Sequence, residues 1–266
     1  MLLVYNQNIW NHNPTECRNT YVRELIQELD ADVCTFQECG PHSSREGNAP
    51  IWKLMADKYT EASPKTAPTS YTTLFFKTER FELIDEGFLL YDGLNDSNSK
   101  SVTWALLKEK ATGKQGIFMS THFWWMHDGE KDNKQRLQNV EQLQALCDEL
   151  LAKYDVPIII GGDFNNGKNS LQGDEPYFTM LKKGFTDIRL SADKTTDKYT
   201  CHFDEYPVLL DDGKTYVKSA NLPDCTIDYI FTYGKNQSKA LEFDILMSDK
   251  ALATSDHCPL IGRFEF

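Results

Sequence analysis

The stretch Val156-Pro157-Ile158-Ile159-Ile160-Gly161-Gly162-Asp163-Phe164-Asn165 decides how the chain folds. Its first half is continuously apolar, as a strand buried on both faces must be. The run then meets two glycines, where backbone can approach a neighbour closely. An Asp-x-Asn pair follows and sets two polar side chains on one face, although an Asx-type turn would account for the pair on its own. Upstream, residues 133–153 carry Leu137, Val140, Leu143, Leu146, Cys147, Leu150 and Leu151 as one apolar stripe. That spacing predicts a helix with Asn133 as its N-cap, ending before Pro157.

Working outward, the elements change type along the chain. Residues 2–9 read as a strand, 15–29 as a helix with Val22, Leu25, Ile26 and Leu29 at helical spacing, and 33–38 as a short strand. A brief helix over 51–59 precedes strands over 71–76, 80–90, 101–109 and 116–122, a meander expected to be antiparallel. Beyond the deciding stretch, a helix over 176–183 has Pro176 in its first turn and Gly184 past its end. Residues 191–225 read as a long polar insertion with one hairpin around Asp211-Asp212-Gly213. Strands near 226–232, 241–247 and 260–264 close the chain. This mixture predicts an α/β fold of two mostly antiparallel sheets packed face to face with helices outside, rather than a doubly wound parallel sheet. No repeat and no Pro/Gly/Ser-rich linker interrupts it, so residues 1–266 read as one domain.

Composition limits the partners. The chain has 40% hydrophobic and 26% charged residues, a globular balance that excludes a disordered tail, a collagen-like fibre or a coiled coil. Lys and Arg number 28 against 40 Asp and Glu, and the net charge of −12 opposes non-specific binding to a polyanion. A local basic groove or a bound divalent cation would offset that bias, so a nuclease is disfavoured rather than excluded. No apolar run approaches the roughly 18 residues needed to span a bilayer, and no signal peptide is legible. The expectation is a cytoplasmic protein with no transmembrane segment. The 7 cysteines form no CxxC pair, which indicates reduced thiols rather than disulfides or a zinc knuckle.

Polar residues interrupt the strands at their ends. Asn8 closes the first strand, Glu38 the second and His122 the fourth of the meander; Asp163 and Asn165 follow the deciding run; Asp228 lies in the 226–232 strand; Asp256 and His257 precede the last strand. Each has a plainer explanation alone: a turn, a solvated strand terminus, a hydrogen-bonded core histidine. Asn6 shares a strand face with Asn8, and register does not separate the two. If the ends converge, they supply oxygen ligands to a hard cation and hydrogen-bond donors to an anion.

In chain order, Asn8-Ile9-Trp10, Phe36-Gln37-Glu38, Ser120-Thr121-His122-Phe123, Gly162-Asp163-Phe164-Asn165, Ile227-Asp228-Tyr229-Ile230 and Ser255-Asp256-His257 resemble the motifs of the endonuclease/exonuclease/phosphatase superfamily, the DNase I-like fold. Arg136 and Gly184-Phe185-Thr186-Asp187 are lesser agreements. The resemblance implies a four-layer α/β sandwich and metal-dependent hydrolysis of a phosphate ester, mono- or diester. Carried over, it makes Glu38 the main Mg²⁺ ligand, with Asn8 and Asp256 completing or supporting the metal site; Mn²⁺ would also fit. It makes Asp163 the residue that orients or deprotonates water, Asn165 a positioning group, His122 and His257 phosphate-binding donors, and Asp228 the partner that polarises His257.

Members of this family act on DNA, RNA, sphingomyelin, phosphoinositides or sugar phosphates, so the fold does not choose the substrate. The acidic balance favours a small phosphorylated molecule or a lipid head group over nucleic acid. Trp124, Trp125, Met126 and His127 read either as an aromatic wall for a sugar or base or as ordinary packing. Residues 191–220, with Tyr199, His202, Phe203 and Tyr206, read as a specificity loop or a plain surface excursion. A non-catalytic binding protein is disfavoured because every expected position is filled.

Overall fold

Strands that are apolar on both faces need a layer on each side, and the chain provides one for each. The computed structural model describes residues 1–10, 18–39, 51–62, 71–96, 98–167, 170–201, 208–209, 216–217 and 225–266. In order, the elements are β1 (Leu2–Asn8), α1 (Arg18–Leu29), β2 (Val33–Gln37), α2 (Ile51–Met55), β3 (Tyr59–Glu61), β4 (Leu74–Lys77), β5 (Phe81–Leu90), β6 (Ser101–Glu109) and β7 (Gln115–His122). Then come α3 (Glu130–Tyr154), β8 (Ile158–Asp163), α4 (Glu175–Lys182), β9 (Thr186–Asp187), α5 (Ile188–Ser191), β10 (Lys194–Thr195), β11 (Val208–Leu209) and β12 (Tyr216–Val217). β13 (Asp228–Tyr233), β14 (Ala240–Ile245), α6 (Asp249–Leu252) and β15 (Leu260–Phe264) complete the chain.

A seven-stranded sheet runs β10-β14-β15-β1-β2-β4-β3, and a six-stranded sheet runs β5-β6-β7-β8-β13-β9. Most pairings are antiparallel, while β1–β2, β7–β8 and β10–β14 are parallel. Alternation along β1 explains the layering. Val4 faces inward to an inter-sheet core with Phe76, Phe118, Ile159 and Phe264. Leu3 and Tyr5 face outward to Val22 and Ile26 of α1 and Ile51 and Met55 of α2. On the far side, Val140, Leu143, Cys147 and Leu150 of α3 and Met180 of α4 cover Ile117, Ile158, Ile160 and Phe231. The result is the four-layer α/β sandwich that the motifs imply. No helix among the described residues is long and apolar enough to cross a membrane.

Three local expectations change. The 71–76 strand leaves the meander: as β4 it pairs with β2 and β3 in the other sheet, because an apolar strand does not encode which sheet it joins. The meander proper is β5–β6–β7. Residues 51–59 split into a five-residue helix and a separate strand, β3. The long helix starts one turn early, with Gly129 at φ 109° as N-cap. Asn133 instead donates to Glu175 Oε2 at 2.5 Å. The hairpin expected around Asp211-Asp212-Gly213 is bracketed by the pairs Val208↔Val217 and Leu209↔Tyr216, and its turn lies outside the described residues.

The sheets meet across a polar layer as well as an apolar one. Asn6 Oδ1 accepts from Thr35 Oγ1 at 2.9 Å and Gln37 Nε2 at 3.0 Å, and Gln37 Nε2 also reaches Ser120 Oγ at 3.0 Å. A Cβ on Gly161 would collide with the Thr35 hydroxyl and lie 2.7 Å from Asn6 Oδ1. Glycine at 161 is what lets β8 pass this close to the opposite sheet.

Candidate active site

Register sets three of the polar residues side by side. β7 and β8 pair in parallel with His122 opposite Asp163, and β8 and β13 pair antiparallel with Asp228 opposite Asp163. Directly opposed residues share a face, so all three side chains point toward the other sheet. That sheet offers Asn8 at the end of β1, Glu38 after β2 and His257 before β15. Glu38 has φ 52°, a left-handed conformation uncommon for a residue with a side chain, and it turns the chain where β2 stops.

The Asn8 amide joins the two sheets: Nδ2 donates to Asp163 Oδ2 at 2.9 Å and to Glu38 Oε1 at 3.1 Å, while Oδ1 accepts from the Trp10 amide at 2.9 Å. This separates the rival asparagines, since Asn6 sits deeper in the inter-sheet layer. Asp163 Oδ2 lies 3.4 Å from His122 Nε2 and 3.9 Å from His257 Nε2. His257 Nδ1 donates to Asp228 Oδ2 at 2.9 Å, which aims Nε2 toward Asp163. Asn165, at φ 48°, donates its backbone N–H to Asp163 Oδ1 at 2.9 Å and its amide to the Phe123 carbonyl at 3.1 Å.

Burial and neighbouring charge divide the titratable groups. Burial, reinforced by Asp228, pushes the Asp163 carboxyl up to about 7. Burial opposes charge on His257, but Asp228 and the other acids outweigh it and hold the ring well above its ordinary value, so it is cationic. His122 goes the other way, held well below its usual range by burial, then by Lys100 and His257. It is therefore a neutral imidazole, unlike its partner. Its Nε2 stands between Lys100 Nζ at 3.1 Å and Asp163 Oδ2 at 3.4 Å, and Nδ1 lies 3.4 Å from the same ammonium.

Lys100 is the residue that the sequence reading missed. It precedes β6, is only 3% exposed, and places Nζ 3.1 Å from His122 Nε2. Among the described residues its nearest acid is Asp96, at 3.8 Å. The loop before it is stapled by Asn95, whose amide donates to the carbonyls of Tyr91 at 3.1 Å and Lys100 at 2.8 Å and whose Oδ1 accepts the Lys100 N–H at 3.0 Å. A lysine beside a polar turn carries no sign in sequence that it will be buried.

Other expectations divide. Asp256 is brought beside the site but into neither cluster described below: its carboxylate accepts from Ser255 Oγ at 3.1 Å and stands 4.0 Å from His257 Nε2. Trp124 is buried packing, whereas Trp125 is 44% exposed. Tyr199 belongs to the inter-sheet core rather than to a loop surface. His202, Phe203 and Tyr206 lie outside the described residues.

Among the described residues, two groups have ligand atoms within 4.8 Å of one another: Glu38, His122 and Asp163, and Asp163, Asp228 and His257. The second is committed internally, since a cationic histidine bound to Asp228 is not a ligand. The first fits a hard divalent cation by its donor chemistry. Two carboxylates face each other across one amide that donates to both, which is where a cation relieves like-charge repulsion.

A two-layer sheet core flanked by helices, with acids, amides and imidazoles gathered at one end, defines the class as a DNase I-like α/β sandwich. The sequence profile of the Endonuclease/Exonuclease/phosphatase family matches residues 6–257, and the chain belongs to that family. Its members are hydrolytic phosphoesterases or nucleases. Among curated proteins nothing matches. Among solved structures it resembles a mannosyl-6-phosphatase of Bacteroides thetaiotaomicron, with TM-score 0.74, 20% identity and 100% of both chains covered. It also resembles the human Nocturnin catalytic domain with bound sulfate, at TM-score 0.66, 20% identity, and 100% of this chain and 93% of that one. Zebrafish (D. rerio) TDP2 complexed with a single-strand DNA product gives TM-score 0.71 at 15% identity, covering 100% of this chain and 99% of that one. At these identities the likeness establishes the fold.

Proposed function

We propose that the protein is a divalent-metal-dependent phosphoesterase that hydrolyses the phosphate ester of a small phosphorylated molecule or lipid head group. One observation carries the reading: the buried Asp163 carboxylate lies within 4 Å of both His122 and His257 and shares the Asn8 amide with Glu38. Family membership and the likeness to a mannosyl-6-phosphatase support it.

Each side chain has a task in that chemistry. Asp163, its carboxyl raised to about 7, takes the proton of the attacking water, help worth roughly 10²–10⁴-fold in rate. The new P–O bond forms as the ester P–O bond breaks, and the leaving alkoxide takes a proton from solvent to depart as the alcohol. His257 presents Nε2–H, cationic and fixed by Asp228, to a phosphoryl oxygen. Lys100 sets a second cation next to His122. Asn165 holds Asp163 by its backbone N–H. Glu38, with Asn8 beside it, would hold Mg²⁺ or Mn²⁺, which when bound neutralises charge on the leaving oxygen.

The test is a panel of mono- and diesters, nucleotides, DNA and lipid head groups, assayed with Mg²⁺, Mn²⁺ and EDTA. Metal-dependent release of phosphate from a small ester supports the reading. Selective cleavage of nucleic acid that falls steeply with added salt would replace it with a nuclease. Turnover of none of them would refute it.

A further inference from the structure

Three residues past β7, Trp125 exposes 44% of its surface on a loop held firmly from behind. Its carbonyl accepts from Gln172 Nε2 at 3.1 Å. The preceding Trp124 is buried, with its indole N–H on Asp132 at 2.7 Å, and the two indoles lie 6.4 Å apart. The next carbonyl, of Met126, accepts from the buried Arg136 at 2.5 Å. A large flat side chain is thus fixed in place while its own surface stays in water, an arrangement that contributes little to the core.

Trp125 is also tied to the reaction centre. Its Nε1 donates to Asp96 Oδ2 at 2.8 Å, and Asp96 Oδ1 lies 3.8 Å from Nζ of Lys100, which touches His122. One carboxylate therefore separates the indole from the buried ammonium beside His122. Burial opposes charge on Asp96, but Lys100, Ser99 and Trp125 outweigh it and hold the carboxyl below its ordinary value. The polar group next to the flat surface is an anionic acceptor. It suits hydroxyl donors, and it repels the adjoining phosphates of a nucleic-acid chain.

We infer that Trp125 and Asp96 form the subsite for the leaving group, a polyhydroxylated ring that stacks on the indole and donates hydroxyls to Asp96 while its phosphate lies at Lys100 and His122. The inference rests on the phosphoesterase reading for the chemistry and adds the class of alcohol released: a cyclic polyol phosphate. A pyranose phosphate and an inositol phosphate share that chemistry.

The probes are glucose 6-phosphate, myo-inositol 1-phosphate, the acyclic glycerol phosphate, and adenosine monophosphate. Binding is read by calorimetry with Mg²⁺ in an Asp163→Asn background, and kcat/KM in the otherwise unchanged protein. A ring polyol should bind about tenfold tighter than glycerol phosphate, the worth of one stacked ring with its hydrogen bonds, and the tighter of the two rings identifies the source. Trp125→Ala should remove that preference, chiefly through KM, and Trp125→Phe should retain part of it. Both side chains are solvent-facing, and an unchanged Tm confirms folding.

Equal binding of cyclic and acyclic esters, equal losses for all probes in Trp125→Ala, or a ring preference confined to adenosine monophosphate would overturn the inference. Ring preference without turnover of any ester would refute the catalytic reading and leave the subsite standing. Turnover without ring preference would do the reverse.

Discussion

Nζ of Lys100 lies 3.1 Å from Nε2 of His122, inside a sandwich where a lysine is otherwise costly to bury. Burial lowers the Lys100 pKa, against the pull of Glu38, Asp96 and Asp163. For a base with a depressed folded pKa, the charged form at neutral pH works against stability. Lys100→Met should therefore fold with a Tm at or above that of the unaltered protein, while kcat/KM for a small phosphoester falls about 10–100-fold, the worth of one charge-assisted hydrogen bond. A lowered Tm with unchanged kcat/KM would mark Lys100 as structural.

Asp163 makes the same trade with opposite charge. Its folded pKa, about 7, stands above the unfolded carboxyl value, so any stability it lends is present below that unfolded value and is lost as pH rises through about 7. Asp163→Asn should raise Tm at pH 8 by about 3 °C or more, and by less at pH 4. Differential scanning calorimetry at the two pH values decides it; a lower Tm at pH 8 would contradict the burial argument.

His257 titrates under Asp228. Its folded pKa is raised, so its stabilising charge is fully present below the unfolded histidine value and is lost as pH rises through the folded one. Asp228→Asn should move the alkaline limb of the pH–rate profile to lower pH and cost at least about 100-fold at pH 8, with a smaller loss at pH 6. A parallel loss at every pH would mean that Asp228 acts only in folding.

Much of the site was legible because strand ends carry side chains into a shared rim. The apolar run into Gly161-Gly162-Asp163 fixed one face, and parallel pairing of β7 and β8 then carried His122 to Asp163. Asn6 and Asn8 were not separable, because period-2 alternation gives them one face; depth between the sheets is a tertiary property. Lys100 was silent for the same reason, and β4 changed sheet without altering its pattern. Asn133 looked like an N-cap, yet a glycine at positive φ opens the helix one turn earlier.

The close sheet contact makes Gly161 a stability test. Gly161→Ala pushes a methyl into the Thr35 hydroxyl and Asn6, and overpacking of this kind costs about 1–3 kcal/mol, or roughly 2–9 °C in Tm. An unchanged Tm would show that the sheets yield at this point.

Glu38 tests the cation. Millimolar Mg²⁺ should raise the Tm of the unaltered protein by about 2–4 °C and should not raise that of Glu38→Gln, because only a native-state site gains from binding. Equal shifts in both would remove Glu38 from the metal site.

The most direct measurement is the rate of phosphate release from a small phosphomonoester at saturating Mg²⁺, with and without EDTA, in the unaltered protein and in Asp163→Asn. The account predicts turnover that EDTA abolishes and that the substitution cuts by about 10²–10⁴-fold in a folded protein. Asp163→Asn turnover within about threefold of the unaltered rate, or turnover indifferent to EDTA, would contradict it.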